Sequence, residues 1–462
     1  MRLTVIGCGY LGAVHAAAMA DLGHHVLGVE TDPARLERLV RGEAPFYEPG
    51  LDELLRRGAR EGRLHYATAP GTTRRTRADV HFLAVGTPQS PSGRGADLSH
   101  LWRAVDTLAA TLPPRERLDE LPLVVGKSTV PVGTAQRVAD RLAGRALVVW
   151  NPEFLREGLA VSDTLRPDRI VYGLPSDPAR AERARAVLDE VYAPILEADV
   201  PRLTMDYQTA ELVKTAANAF LATKISFINA MSALCDAAGA DVAVLADAIG
   251  RDARIGHRFL RAGIGFGGGC LPKDLRGLEQ RAAELGADGL ASFLDRVDAI
   301  NRGQRDHVTR MALDALGPDP AGRAVTILGV TFKPDSDDLR DSPVLEVALR
   351  LADAGAVVTV HDPRGLEGLS RLHPVLRAQP DALRALEGAE LVILGTEWKE
   401  LTDLDPRAAA ARVARPVLID ARNALTPSRW TAAGWDYHGI GRPSELRWSA
   451  PRRRALAGTM VG

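Results

Sequence analysis

At 462 residues the chain exceeds what one hydrophobic core organises, so two or three domains are expected. Hydrophobic residues make up 46% and charged residues 25%, the balance of a soluble globular protein. A formal net charge of -1, with both signs mixed along the chain, excludes a nucleic-acid surface and a polybasic membrane anchor.

The opening "MRLTVIGCGYLG" runs straight into a strand and a glycine turn, without the features of a signal peptide. The alanine-rich "AVHAAAMADLG" predicts a helix ending in glycine, and "HHVLGVE" a second strand. "ADVHFLAVGTP", "LPLVVGKSTVPVG" and "ALVVWNPEF" are further apolar runs ending in turn residues. Strands alternating with helices predict a parallel sheet covered on both faces, with ligands at the strand carboxyl ends. "VGTP", "KSTVP" and "NPEF" stand at such ends. From about Met205 to Gly250 the pattern becomes helical and free of proline, the mark of a long helix followed by shorter ones. From about Arg323 the first pattern returns in "AVTILGVTF", "SPVLEVALRLADAG", "VVTVHDP", "AELVILGTEW" and "RPVLIDARN". The expected fold is therefore α/β, with two Rossmann-like doubly wound domains (1–200 and 306–445) joined by an all-helical domain (201–305). A tail at 446–462 is expected to be disordered. No stretch of about 18 apolar residues marks a membrane span. Cys8, Cys235 and Cys270 are too scattered for a disulfide framework, so a cytoplasmic setting is expected. No HExxH or CxxC spacing occurs, and no metal site is expected.

Gly7, Gly9 and Gly12 form G-x-G-x-x-G between strand and helix, and Glu30 ends the second strand roughly twenty residues on. The glycines admit a pyrophosphate at a helix N-terminus. Glu30 would accept both ribose hydroxyls and repel a 2′-phosphate, which favours NAD over NADP. Arg35 is expected to pack over the adenine, and Cys8 to be a small packing residue. The bland alternative is a tight strand–helix turn without a ligand.

"GIGFGGGCLPKDLRG", residues 263–277, raises a sharper question, because it sets a cysteine at the end of a glycine run. Glycines at 265, 267, 268 and 269 leave room for a flat polar ligand against the backbone. Near Lys273 and a helix N-terminus, the Cys270 thiolate would be favoured. Beside a nicotinamide, such a thiol can attack an aldehyde and pass through a thiohemiacetal to a thioester that water cleaves. Alone, "GGGC" is more often a turn with a buried thiol than a nucleophile. The chain has only six lysines: Lys127, Lys214, Lys224, Lys273, Lys333 and Lys399. A chain that uses arginine for generic positive charge makes each surviving lysine a candidate for a compact ammonium's work.

Between Met1 and about Pro443 stand "GCGYLG", "PFYEPGLDELL", "VGTP", "KSTVPVGT", "NPEFLREGLAVSDTLRPDRIVYG", "ELVKTAANAFLATKISFINAMS", "RIGHRFLRAGIGFGGGCLPKD" and "GVTFKPDSDDLRDSP". In these blocks and their order the chain resembles the UDP-glucose/GDP-mannose dehydrogenase family. It implies that Cys270 is a nucleophile, and that Lys214 and Asn218, four apart on one helix face, stabilise a developing oxyanion. It implies that Thr129 and Asp274 position water and accept a proton, while Glu157 shares in proton transfer. The division among Glu157, Asp274 and water stays open, and a helix-capping carboxylate is the bland alternative for Glu153 and Glu157. NAD would be held by Gly7, Gly9, Tyr10, Leu11, Gly12, Glu30, Arg35, Thr87, Thr129, Glu157, Lys273 and Arg340. A nucleotide sugar would meet Glu153, Phe154, Leu155, Arg156, Glu157, Lys214, Asn218, Phe259, Leu260, Arg261, Ala262, Gly263, Gly267 and Lys333, with Arg254 reaching a neighbouring subunit's substrate. The implied assembly is a homodimer, or a higher homo-oligomer, built on the long helix.

The implied reaction is oxidation of a sugar C6 alcohol to a carboxylate with two NAD+. UDP-glucose is the favoured substrate, because "EFLREG" with "RPDRIVYG" resembles that branch. Another nucleotide sugar (dTDP-glucose, GDP-mannose or a UDP-N-acetylhexosamine) is the alternative. Two rivals stand beside it: a two-electron dehydrogenase of the 3-hydroxyacid or 6-phosphogluconate type, and a nucleotide-sugar-binding protein without turnover.

Overall fold

The computed structural model describes residues 1–69, 78–90 and 95–443. The expected disordered tail at 446–462 lies outside them. The N-terminal domain is an eight-stranded sheet: β1 (Arg2–Ile6), β2 (His25–Val29), β3 (Leu64–Ala67), β4 (Val80–Leu83), β5 (Leu123–Gly126), β6 (Leu147–Trp150), β7 (Ile170–Leu174) and β8 (Arg202–Asp206). Its spatial order is β3-β2-β1-β4-β5-β6-β7-β8. The C-terminal sheet comprises β9 (Ala324–Leu328), β10 (Val357–His361), β11 (Arg377–Ala378), β12 (Leu391–Leu394), β13 (Val417–Asp420) and β14 (Asp436–Gly439), in the order β11-β10-β9-β12-β13-β14. Both sheets reverse direction of growth beside their first strand, the doubly wound arrangement anticipated from the sequence. Strands β4, β5, β6, β12 and β13 are buried along their whole length. That is why they read as short runs rich in Val, Leu and Ile, each such side chain contributing about 1.5–3 kcal/mol on burial.

Two features depart from the expectation. The N-terminal sheet is not wholly parallel, since β7 meets β6 antiparallel at Trp150 and Gly173. A parallel crossover needs a dozen or more residues that traverse the sheet. The link between β6 and β7 instead stays at the strand carboxyl ends and forms only the short helix Ala160–Leu165. It is this detour that carries Glu153 and Glu157 over the sheet. Secondly, the N-terminal sheet continues past residue 200, because β8 pairs with β7 through Asp206. The strand β8 is mostly exposed and half polar, so it left no apolar run in the sequence.

The 32-residue helix Tyr207–Ala238 follows β8 without a loop. The Asp206 carboxylate accepts from the Thr209 N–H at 2.7 Å and so caps it, and Gly239, at φ 74°, ends it. Helix Leu271–Glu284 and the 29-residue helix Asp288–Leu316 pack on it. The latter continues through position 305 and reaches helix Pro343–Asp353 of the C-terminal domain. No helix among the described residues is long and apolar enough to cross a membrane.

Candidate active site in the cleft between the two doubly wound domains

A cleft of about 400 Å³ opens at the carboxyl ends of β1, β4 and β5. It is lined by the glycine loop, by "VGTP", by Thr129, Glu153 and Glu157, by Gly268–Asp274, and by Arg340 from the C-terminal domain. On the dinucleotide side, helix Tyr10–Asp21 is pressed onto the loop, since a Cβ on Gly12 would meet the Gly7 carbonyl oxygen at 1.8 Å. Gly9 faces open space, with nothing within 4 Å of where its Cβ would stand. Tyr10 and Leu11 line the same wall. This backbone, exposed at a helix N-terminus, fits a pyrophosphate. Glu30 directly follows β2 and is buried. Arg35, on the rim of this side, donates to Glu30 Oε2 at 3.1 Å. Burial of Glu30 makes a cationic neighbour the favourable partner. Thr87 Oγ1 donates to the Thr129 carbonyl at 2.7 Å and fixes the "KSTVP" turn against "VGTP". Cys8 is fully buried beneath the loop.

Cys270 stands at the floor as the N-cap of helix Leu271–Glu284, open to solvent on its cleft side. Lys214 and Asn218 do share a face of the long helix and point at its surroundings. Lys214 is buried and pairs with Glu153 at 3.0 Å. Burial works against its charge, but Glu153, Asp274 and Cys270 outweigh it and hold the ammonium above its ordinary range. Asp274 accepts from Asn218 Nδ2 and from Lys273 Nζ, each at 2.7 Å. The electrostatics of the sulfur reverse the expectation of a favoured thiolate. Packing on its inner sides first, and Glu153 second, push the Cys270 thiol up to about 12 against the pull of Lys214. The Lys273 charge that was to help is spent on Asp274, one residue along.

The glycine run also serves differently from expectation. Its openness is filled by the C-terminal domain: a Cβ on Gly267 would meet Asp341 O at 2.2 Å, one on Gly268 the Phe332 ring at 2.7 Å, and one on Gly269 the Arg340 guanidinium at 2.5 Å. Glycine here lets the "TFKPDSDDLRDSP" loop close over the cleft. That loop grips Glu157, whose Oε2 accepts from Ser336 Oγ at 3.0 Å and whose Oε1 meets Arg340 Nη2 at 3.3 Å. The Lys333 ammonium donates to the Glu157 carbonyl. Burial, then Asp338, push the Glu157 carboxyl up to about 7, with Arg340, Ser336 and Lys333 opposing.

Other expected residues lie elsewhere. Phe154 and Arg156 line a smaller cavity behind Glu153, the former under the Arg169 guanidinium at 4.0 Å, the latter paired with Asp163 at 2.6 Å. Leu155 borders both cavities. Leu260 and Ala262 are core residues, and Arg261 is exposed near Glu397. Phe259 is held at φ 66°, and Gly263 N–H donates to Asn229 Oδ1 at 2.9 Å. Arg254 projects into solvent beside Asp252, away from this cleft. Sequence reasoning missed Glu48, Ser336 and Asp338. All three sit inside family-like blocks, but nothing in their spacing signals contacts made more than 100 positions away. No group of three or more metal-binding side chains occurs among the described residues.

Paired doubly wound domains facing each other over an open glycine loop define a dinucleotide-dependent dehydrogenase. The comparisons with known proteins narrow this class. The chain belongs to the UDP-glucose/GDP-mannose dehydrogenase family, whose NAD binding, central and UDP binding domains match residues 1–196, 208–303 and 326–427. NAD is therefore its cofactor. The UDP-glucose 6-dehydrogenase of Rhizobium meliloti is 40% identical over 96% of this chain and its own full length. That of Pseudomonas aeruginosa is also 40% identical, over 96% of this chain and 98% of the relative. A UDP-glucose dehydrogenase structure from Pyrobaculum islandicum superposes with a TM-score of 0.84 at 37% identity, covering 96% of this chain and 98% of that one.

Proposed function

We propose that the protein oxidises UDP-glucose at C6 to UDP-glucuronate through a covalent intermediate on Cys270. The observation that carries this is a reachable thiol ringed by Lys214, Asn218, Asp274 and Glu153 at the floor of the dinucleotide cleft. NAD supplies the hydride acceptor for both oxidations. Lys214 and Asn218 face the C6 oxygen and stabilise negative charge as it loses its proton. The Cys270 sulfur adds to the aldehyde carbon and the thiol proton moves to the carbonyl oxygen. Loss of a second hydride and proton leaves a thioester. Water positioned by Thr129 and Asp274 attacks it, the C–S bond breaks, and the sulfur regains its proton. Because the resting thiol holds its proton to about 12, its attack needs a base, and Glu157 and Asp274 are the groups within the cleft for that work. Glu153, Phe154, Leu155, Arg156, the Phe259–Gly263 segment, Gly267 and Lys333 are assigned to the sugar nucleotide on the family pattern. Tyr10, Leu11, Arg35, Lys273 and Arg340 are assigned to NAD on the same pattern.

Release of two NADH per UDP-glucose consumed tests the proposal, and one equivalent would favour the two-electron rival. Offering dTDP-glucose, GDP-mannose and UDP-GlcNAc in the same assay tests the base and the sugar. The pH profile should rise as the Glu157 carboxyl ionises, so kcat/KM is expected to inflect near pH 7 and to lose that limb in Glu157→Gln. Folding stability runs the other way. A carboxyl raised by burial contributes fully below its ordinary range and loses that contribution as the pH rises through about 7.

Two further assignments belong to this proposal. Phe220, Phe227 and Leu234 recur every seven residues along the long helix and are 67%, 51% and 58% exposed, which supports a homodimer face. Light scattering at twice the chain mass is the expected result. The three unpaired cysteines suit a reducing, cytoplasmic setting.

A further inference from the structure

The "PFYEPG" stretch, residues 45–50, has no part in the chemistry above. Its Glu48 is nonetheless buried, 6% exposed, and the hydrogen bonds of its side chain lead toward the site. Glu48 Oε1 accepts from the Ala160 N–H at 2.8 Å, and Oε2 from the Gly158 N–H at 2.7 Å. Oε2 also accepts from the hydroxyl of Tyr10, one of the two residues between the last two fingerprint glycines. The Gly158 N–H lies 3.1 Å from that same hydroxyl oxygen, so the three groups form one closed cluster. Just before Glu48, the Phe46 ring packs 4.4 Å from the Tyr10 ring, and the Tyr47 N–H donates to Asp337 Oδ2 at 3.0 Å. The three residues 46–48 thus touch the dinucleotide loop, the segment after β6 and the C-terminal loop that covers the cleft.

The geometry leaves the segment after β6 no slack. Gly158 sits at φ 79°, where a Cβ would strike the Asp335 carbonyl oxygen at 2.6 Å. Its N–H is the peptide group directly following Glu157, so whatever holds that N–H sets where the Glu157 carboxylate starts. A carboxylate serves because it presents acceptors on both oxygens. A carboxamide must turn its NH2 toward one backbone N–H, leaving a buried donor facing a donor.

We propose that Glu48 is a positioning residue that holds Glu157 in register with the dinucleotide loop through Gly158, Ala160 and Tyr10. It rests on the acid–base role assigned to Glu157. The test is a double-mutant cycle of Glu48→Gln and Glu157→Gln, read by kcat, by KM for UDP-glucose and for NAD, and by the pH profile. Glu48→Gln is expected to lower kcat about 30-fold and to shift the inflection near pH 7, with either KM changed less than about threefold. In the Glu157→Gln background the same change should cost less than about twofold, because its target is already gone. Tyr10→Phe removes one donor only and should give a smaller loss with the same dependence on Glu157. If Glu48→Gln does not fold, the cycle of Tyr10→Phe with Glu157→Gln decides. Equal factors in both backgrounds, or an unmoved pH inflection, would overturn the proposal and leave a structural carboxylate. Wild-type turnover by Glu157→Gln alone would overturn the role of Glu157 first and that of Glu48 with it.

Discussion

Cys270→Ser is expected to abolish steady-state formation of the acid, lowering NADH production by at least about a thousandfold, while UDP-glucose and NAD still bind. The reason lies in what surrounds the sulfur. Cys270 is open to the cleft, and its neighbours hold their geometry without it: Lys214 pairs with Glu153, and Asp274 is held by Asn218 and Lys273. Serine fits the same space, so binding and the fold should persist. A hydroxyl is a far weaker nucleophile than sulfur, and in a pocket that already pushes a thiol up to about 12 its ionisation is further out of reach. The first oxidation needs no bond to residue 270, so a single turnover is expected to leave the aldehyde bound; trapping it with a hydrazine would show it. In the wild-type protein, acid quench during turnover should yield a sugar adduct on the peptide containing Cys270. Full acid production by the serine variant would end the thioester scheme.

Lys214→Ala is expected to lower kcat by about 10²–10³-fold, the range seen when one oxyanion-stabilising donor is removed. Two effects need separating. Lys214 is 4% exposed and its partner Glu153 12%, so deleting the ammonium also strands a buried carboxylate, at about 3–5 kcal/mol of stability. Lys214→Ala combined with Glu153→Gln relieves the stranded charge. Stability should then recover toward the wild-type melting temperature while turnover stays low. Recovery of both together would make Lys214 a structural partner of Glu153 and nothing more. Lys214→Arg is no conservative rescue, because a planar guanidinium needs more room than this enclosed site leaves beside the Phe154 ring, 5.9 Å from Nζ.

How much of this was legible beforehand differs from residue to residue. The pairing of Lys214 with Asn218 was readable, because spacing by four on a long uninterrupted helix fixes a shared face. The strand–glycine–helix unit at Gly7–Gly12 was readable for a similar reason, since backbone freedom and apolar alternation act over a few residues. The polar, exposed strand β8 escaped notice because it buries too little to leave a pattern. The ion pair of Arg35 with Glu30, five positions back, lies within the same short range.

The glycine run shows where local reading stops. Its freedom from side chains was plain, but its use was not, because Phe332, Arg340 and Asp341 arrive from about 70 positions further along. The same holds for the Cys270 thiol. Lys273 stood next in line to activate it, yet Asp274 takes that charge and Glu153, on the detour after β6, raises the thiol instead. Glu48 meets its partners 38 to 112 positions away. The order of apolar runs and turns by itself determined two doubly wound domains, a dinucleotide loop and a cysteine set in open backbone, because those depend on steric freedom and burial over short spans. Only the tertiary structure decided the charge state of that cysteine, what covers the glycines and what holds Glu157. Electrostatic and hydrogen-bond energies depend on distance through space, and the chain reveals that distance only once it has folded.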